Sequence, residues 1–524
     1  MARLPRFFEK LIASSGAVTS AQLVTANLQY MANQGRPQID FIQSIINDWK
    51  NSDEYTTMID AEAYYKNKNK SMLERKRETI GFTGAKEEDP LLTNTKTPHP
   101  FFRELVDSKN AFLLSQPYSL KVDDGNEAYQ KLLEEELGEK RLNLSNRLFK
   151  LGTRSLRGGK AWLQYYYDEK GQGQIRVNNS WEIIPFWKDE EKTVLDAAIR
   201  FYEMDVYEKD RKFTITKIEY HDGTGVWYYV IDDKGTRPDP FEYGEQLPYA
   251  KPHFIAQRVN EETGEVEDVG MVFDRVPFIC FRYADDELSL LELVRYLIDA
   301  YDFGVSDIAN SIGDIAFAIY VVKNFDGDNL GAFREGLKKY KAAAVTDEGD
   351  VSTLNPTTQM SMLDSHLDRL KRDIFASGRG VYEEGRLGAQ VSGKALDRLF
   401  SKMTLDANLM SMQFLQGIKD LLWFVNNDFA NRGLGDFHDV KVEILFNKDM
   451  PVNEPEIIRS LRDSRGMISD ETIVANHPLV TNVEEELKRM KKEKEDDMLF
   501  AQEYGFGQPI EPTEPPEPGG GNEE

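Results

Sequence analysis

Apolar positions along this chain change their period several times, and each change predicts a different kind of element. Up to about residue 100 the chain reads as mainly helical and polar. Apolar residues recur at helical spacing in "TSAQLVTANLQYM" and "IDFIQSIINDW", and a Lys/Arg-rich link, "YYKNKNKSMLERKR", follows them. In "PFFRELVDSKNAFLLSQP", Phe102, Leu105, Val106, Phe112 and Leu113 predict an amphipathic helix. It stops before Pro117, because a proline pushes the residue ahead of it out of the helical region. From about 145 to 283 the texture is that of strands. "AWLQYYYD", "AAIRFYEM", "FTITKIEYH" and "GVWYYVID" are β-branched and aromatic, and turns such as "DEKGQG" and "HDGTG" separate them. The expected fold class for this region is α+β with an antiparallel meander.

At about 288 the pattern turns helical and unusually regular. Leu291, Val294, Ile298, Tyr301, Val305, Ile308, Ile312 and Ile315 alternate three and four apart, a heptad seam that must pack along another helix. Asp299, Asp302, Asp307 and Asp314 lie off that seam, and Gly304 and Gly313 leave room for close packing or a slight bend. A small unit follows: a strand "FAIYVV", a basic helix around "AFREGLKKY", a strand "KAAAVT", the turn "DEGD" and "VSTLNP". Helix returns at "SMLDSHLDRLKRDIFASG", where Leu363, Leu367, Leu370 and Ile374 form the stripe. After the glycine-rich "GRLGAQVSGK" comes a much longer helix whose stripe runs Ala395, Leu399, Met403, Ala407, Met410, Phe414, Ile418, Leu421 and Val425. No proline lies between Pro356 and Pro451, and about 35 residues at ~1.5 Å each give roughly 50 Å. A short strand in "DVKVEILF" leads to a helical C-terminal module, in which Thr481 and Glu484 have capping-box spacing. The end, "GQPIEPTEPPEPGGGNEE", has one isolated aliphatic residue, Ile510, too little to build a core, and is expected to be disordered.

Length and composition narrow what these elements can form. At 524 residues, with 40% hydrophobic and 11% aromatic content, the chain can hold two or three domains around a sizeable core. The first residues lack the apolar run of a signal peptide and no stretch approaches a membrane span, so a soluble protein made inside the cell is expected. The single cysteine, Cys280 in "VPFICF", excludes an internal disulfide framework and is expected in the core. A net charge of −25 is the opposite of what tight nucleic-acid binding requires, since affinity there comes from Lys and Arg displacing counterions. DNA contact, if any, should be local or transient.

Candidate chemistry is sparse. Gly388, Gly393 and Lys394 have the frame of a phosphate-binding loop. The residue after Lys394 is Ala395 where magnesium needs a hydroxyl, and a charged helix rather than an apolar strand precedes the loop. The six histidines are dispersed without ligand spacing. Acid clusters such as Asp285, Asp286 and Glu287 read as solvated loops. No catalytic or metal-binding constellation is found and no cofactor is expected, which favours a structural or transport role.

The order of motifs resembles the portal proteins of tailed bacteriophages, specifically the SPP1-type portal family. The resemblance runs from "AYYKNKNKSMLERKR" through "VDSKNAFLLSQP", "RGGKAWLQYYYDEKG", "WEIIPFW" and "SLLELVRYLIDAYDFGVSDIANSIGDI" to "ISDETIVANHPLVTNVEEELKRM". It implies a non-enzymatic ring, dodecameric in the mature head of such phages. The ring sits at a capsid vertex, and double-stranded DNA passes through it without sequence readout. Implied partners are the terminase, the head-to-tail adaptor, and capsid and scaffold proteins. The resemblance also implies that no membrane is involved and that the protein is made in the host cytoplasm and ends in the virion. Carried onto this chain, 1–287 resembles the wing, 288–314 the first stem helix, 315–356 the clip and 357–378 the second stem helix. Residues 379–392 resemble the tunnel loop, 393–452 the long wing helix and strand, and 453–507 the crown, with 508–524 a disordered acidic tail.

The residues this mapping singles out fall in three groups. Tyr382, Glu383, Glu384, Arg386, Gln390, Ser392 and Lys394 belong to the tunnel loop, and Arg369, Lys371 and Arg372 to the stem. Repeated around a ring, the basic ones would form basic rings touching phosphates, or else ion pairs on the surface and between subunits. Arg334, Lys338, Lys339 and Lys341 in the clip would contact the terminase or adaptor, or solvate a helix face. The competing readings are a packaging enzyme binding ATP through a P-loop-like segment, and a monomeric adaptor or scaffold protein.

Overall fold

In the computed structural model of the protein, the described residues are 39–80, 86–88, 92–123, 125–208, 211–259, 266–315, 319–323, 350–354, 360–382, 393–447, 454–475, 477, 480, 483 and 486–493. The chain divides into two compact units, Met1–Glu384 with Phe400–Asp449, and Gly385–Leu399 with Met450–Glu524. The first is a mixed α+β assembly. In the second, the helices Glu454–Asp463 and Asp470–Ala475 are described. The basic helix "AFREGLKKY", the strand "KAAAVT" and the Thr481–Glu484 capping box lie outside the described residues.

Alternation in the strand region builds an antiparallel meander of five strands, Ile183–Trp187, Leu195–Glu208, Arg211–Asp222, Gly225–Asp232 and Gly235–Pro238, each paired with its sequence neighbour. Pairing Ile199 with Tyr220, and Tyr220 with Trp227, puts the apolar residues of successive strands on one face. The helix Ile39–Lys50 closes that face, with Phe41, Ile42 and Ile46 packed among Ala197, Ile199, Phe201, Ile218, Trp227 and Tyr229. Arg200, Lys217, Glu219 and His221 are buried in the same strands, and Arg200 donates to Glu219 at 2.7 Å.

A second, three-stranded sheet has the order Phe278–Arg282, Lys160–Tyr167, Gly173–Asn178. Cys280 pairs with Trp162 here and is half-buried rather than fully in the core. Burial pushes its thiol up to about 11, which leaves it unreactive.

Two expectations need correcting. The strand texture does not begin at 145: Leu144–Gly158 is a helix that buries Leu144, Leu148, Leu151 and Leu156. The apolar spacing there is helical, and polar residues on the other face obscure it. Nor is "YYKNKNKSMLERKR" a link. It ends one helix, Asp53–Tyr65, forms another, Lys70–Leu73, and buries Tyr64, Asn69 and Met72.

Candidate functional site, a helix hairpin anchored at its base

The heptad stretch forms one helix, Leu290–Ile315, and the following stripe another, Met360–Ser377. They run antiparallel. Leu367 meets the helix at Gly304, where an added Cβ would lie 3.1 Å from its Cδ2, and Lys371 sits over the Tyr301 ring at 5.7 Å. At the same end Phe101 stands edge-on to both Tyr301 and Phe375, at 5.0 and 6.1 Å. Beyond the other end the strands Ile319–Lys323 and Asp350–Leu354 pair antiparallel, Ile319 with Leu354 and Lys323 with Asp350.

The heptad seam is used unevenly. Leu291, Val294, Ile298 and Tyr301 are buried, whereas Ile312 is 60% exposed. The polar positions Asp302, Ser306 and Asn310, spaced four apart, are buried instead. A strap made of residues 64–75 and 95–99 covers them. Asn69 donates to Asp302 at 2.8 Å, and His99 donates its backbone N–H to the same carboxylate at 3.0 Å with its ring Nδ1 at 2.8 Å. The backbone N–H groups of Thr97 and Thr95 donate to Ser306 and Asn310. Tyr64 and Ser71 both donate to Asp299, and Arg75 forks onto Asp307. Burial raises the Asp302 carboxyl, against the pull of its donors. Such a ladder fixes the strap to one position along the helix, because a shift would strip the buried Asp302, Ser306 and Asn310 of these donors.

Two ionic clusters hold the base of the hairpin. At the start of the first helix, Glu287 accepts from Lys160 at 2.8 Å, Lys192 at 2.7 Å and Arg282 at 2.8 Å. Burial alone would raise this carboxyl, but the three cations hold it at about 2. Ser289 and Glu292 form the reciprocal cap, the Leu291 N–H donating to Ser289 Oγ and the Ser289 N–H to Glu292. Ser289 also donates to the Arg157 carbonyl, which fastens the cap to the helix Leu144–Gly158.

At the end of the second helix lies the turn Gly378–Arg379–Gly380. Arg379 is left-handed at φ 51°, and both glycines press on Leu105, where an added Cβ would stand 2.7 and 2.4 Å from its methyl carbons. Arg379 donates to Asp406 at 2.9 Å. Asp406 lies on the 39-residue helix Gly393–Asn431 and is buried, and it also accepts from Tyr283 and from buried Lys109. Desolvation lowers the Lys109 ammonium while Asp406 opposes it, so removing Asp406 would leave a buried cation without its counter-charge. Asp406 therefore ties the residues just before 383–392 to the helix that follows them.

The expected site residues are distributed as follows. Arg369 is exposed, 3.7 Å from Asp373 on its own helix, and Arg372 donates to the Asp368 carbonyl. Lys371 turns toward Tyr301 instead. The Tyr382 ring packs on Phe375 at 5.3 Å. Lys394 starts the long helix. Glu383, Glu384, Arg386, Gln390 and Ser392, and Arg334, Lys338, Lys339 and Lys341, lie outside the described residues. Glu287, expected as a solvated loop acid, is instead buried and paired with three cations, because the strands that carry Lys160 and Arg282 close over it; the roles of Asp302, Asp406 and Lys109 were not foreseen. Two signals were present: polar residues four apart through a heptad helix, and a lysine beside an asparagine in the apolar helix Phe101–Leu114.

These clusters position elements, and Lys192 and Arg282 of the Glu287 cluster also line a cavity that Cys280, Arg275 and Asp420 reach. Among the described residues no group of three or more His, Cys, Asp or Glu could hold a metal ion, and no helix is long and apolar enough to cross a membrane.

Comparison with known proteins gives consistent matches. The family described as phage portal protein, SPP1 Gp6-like, matches residues 44–498. The portal protein of Bacillus phage SPP1 is 28% identical over 432 residues, covering 80% of each chain. The portal protein of Clostridium phage phiCD119 is 27% identical over 460 residues, covering 83% of this chain and 92% of its own. A chain from the neck of an empty GTA particle overlaps at TM-score 0.35 and 10% identity, too loosely to define a shared fold.

Proposed function

This chain belongs to the SPP1 Gp6-like family of phage portal proteins, and we propose that it works as a dodecameric ring whose helix hairpins line the DNA channel. As a portal protein it is a structural, non-enzymatic component of the virion at the capsid vertex, where the genome is packaged. On our reading, Leu290–Ile315 and Met360–Ser377 are the stem, and the segment around 379–392 is a loop that meets passing DNA. The unit 315–356 is the clip, which docks the terminase and afterwards the head-to-tail adaptor. Residues 1–287 with the long helix make the wing, and 453–507 the crown.

The observation that supports this reading most is the hairpin anchored at its base by Glu287 and Asp406. Force on a loop at that base passes into two buried carboxylates and the helices they join. A conduit needs that rigidity, because a channel wall must not move with its cargo. DNA contact in such a bore is to phosphates alone, so exposed Arg369 and Arg372 suit it without any sequence preference.

The test is imaging and packaging together. Negative-stain images of the full chain are expected to contain rings with a central hole, and compact monomers at all concentrations would overturn the ring. Deleting several residues within 381–391 is expected to leave rings intact and impair DNA packaging; normal packaging by that variant would overturn the loop assignment.

A further inference from the structure

The helix Leu290–Ile315 is apolar on two faces. One face, Leu291, Val294, Ile298 and Tyr301, is buried inside the subunit. The other carries Leu293 at 42% and Tyr296 at 82% exposure, with exposed Ala300 one turn further on. A helix with a single apolar stripe is complete once that stripe is covered, and a second stripe calls for a second partner. The long helix has the same property. It buries Met403, Ala407, Met410 and Phe414 and exposes Leu405, Leu409 and Met412, at 59%, 43% and 66%. Leu405, Leu409 and Met412 follow i, i+4, i+7 spacing, so they form one line on the solvent side.

The two lines match in length and in the sign of their flanks. Leu293 to Ala300 and Leu405 to Met412 each span seven residues, about 10 Å along a helix. Exposed Glu292 borders the first line, together with Asp299 and Asp307, which Tyr64, Ser71 and Arg75 already hold within the subunit. Lys402 and Lys419 border the second, both exposed, with the Asp420 carboxylate beside Lys419. Opposite flanking charges set the register of two apolar faces and reject like pairings. Two different faces that fit each other form a head-to-tail contact, which does not stop at a dimer and gives a ring where the rotation between copies closes.

We propose that the Leu293–Tyr296 face of one copy packs on the Leu405–Leu409–Met412 face of the next, and that this contact joins neighbouring subunits. The proposal rests on the ring reading above and adds the surfaces that build it. Tyr296 is the anchor: a large, rigid side chain of the type that dominates interface energies, standing almost free in the isolated chain.

The experiment uses the full chain carrying Ala300→Cys and Met412→Cys together, with Cys280→Ser, and a short bis-maleimide. A ladder of cross-linked species beyond dimer is expected, and neither cysteine alone should give one. A cross-link confined to the monomer, a product that stops at dimer, or no product in a sample that forms rings would each overturn the contact while leaving the ring. A second variant, Leu409→Asp with Met412→Asp, keeps Cys280. It is expected to weaken assembly by at least roughly tenfold with unchanged circular dichroism and thermal unfolding of the subunit, since both side chains are exposed. Rings that survive this variant would overturn the proposal. A wild-type chain that stays monomeric throughout would instead remove the ring reading itself.

Discussion

Gly159 illustrates how much one residue can decide. It adopts φ +76°, and a Cβ there would stand 1.8 Å from the Glu287 carbonyl oxygen, where the chain enters the first helix of the hairpin. The "RGGK" motif is thus a packing requirement: Lys160 reaches Glu287 only because the backbone beside it comes so close. Gly125, at φ +94°, faces open space, so it carries the backbone strain without the collision. Gly159→Ala is therefore expected to destabilise the chain by more than about 1 kcal/mol beyond Gly125→Ala, read as the difference between their thermal unfolding curves. Equal curves would mean that the close approach is not needed. The sequence marks Gly159 as a glycine, but the carbonyl that requires it lies well over a hundred residues away.

At the scale of elements, the helix bounds were largely legible. The heptad stretch and the long apolar stripe each gave one uninterrupted helix, because a 3.6-residue period is a local property. The period does not say which stripe will be covered. Asp302, Ser306 and Asn310 are buried because the strap of residues 64–75 and 95–99 supplies donors to them. The Asp406 cluster is hidden in the same way, its four members coming from four separate stretches. Its components can be separated by experiment. Asp406→Asn leaves Lys109 buried without its counter-charge and should cost roughly 3–5 kcal/mol. Arg379→Met removes a half-exposed partner and should cost less than about 1 kcal/mol. Hydrogen exchange at 376–382 should nonetheless speed up in Arg379→Met, since only the turn loses its tie. Unchanged exchange there would show that Leu105 alone holds the turn.

On the scale of the whole molecule, buried charges make stability depend on pH. Glu287 is held at about 2 in the folded state against an ordinary value of 4.5. Its contribution is complete above about pH 4.5 and is lost as pH falls toward 2, where the unfolded chain binds the proton first. Half-buried His253, lowered to about 3 from 6.5 by desolvation and by His221, works in the same direction over a wider window. Asp196, which burial raises to about 6, works the other way and gains stability as pH falls through 6. The Glu287 share is therefore isolated by comparison. Glu287→Gln should melt well below wild type at about pH 6, and the gap should narrow steadily between about pH 4.5 and 3. A constant gap would mean that the carboxylate's charge is not what the three cations hold. The −25 surplus belongs to this scale too: it argues against tight DNA binding, and a ring through which DNA slides is compatible with it. By itself the sequence determined the periods, hence the helices and the meander, and the order of motifs that identifies the family. Tertiary structure alone decided that Glu287, Asp302 and Asp406 are buried junctions, and that Tyr296 and Met412 are left uncovered. Burial and pairing join residues far apart in the chain, and no local pattern carries that information.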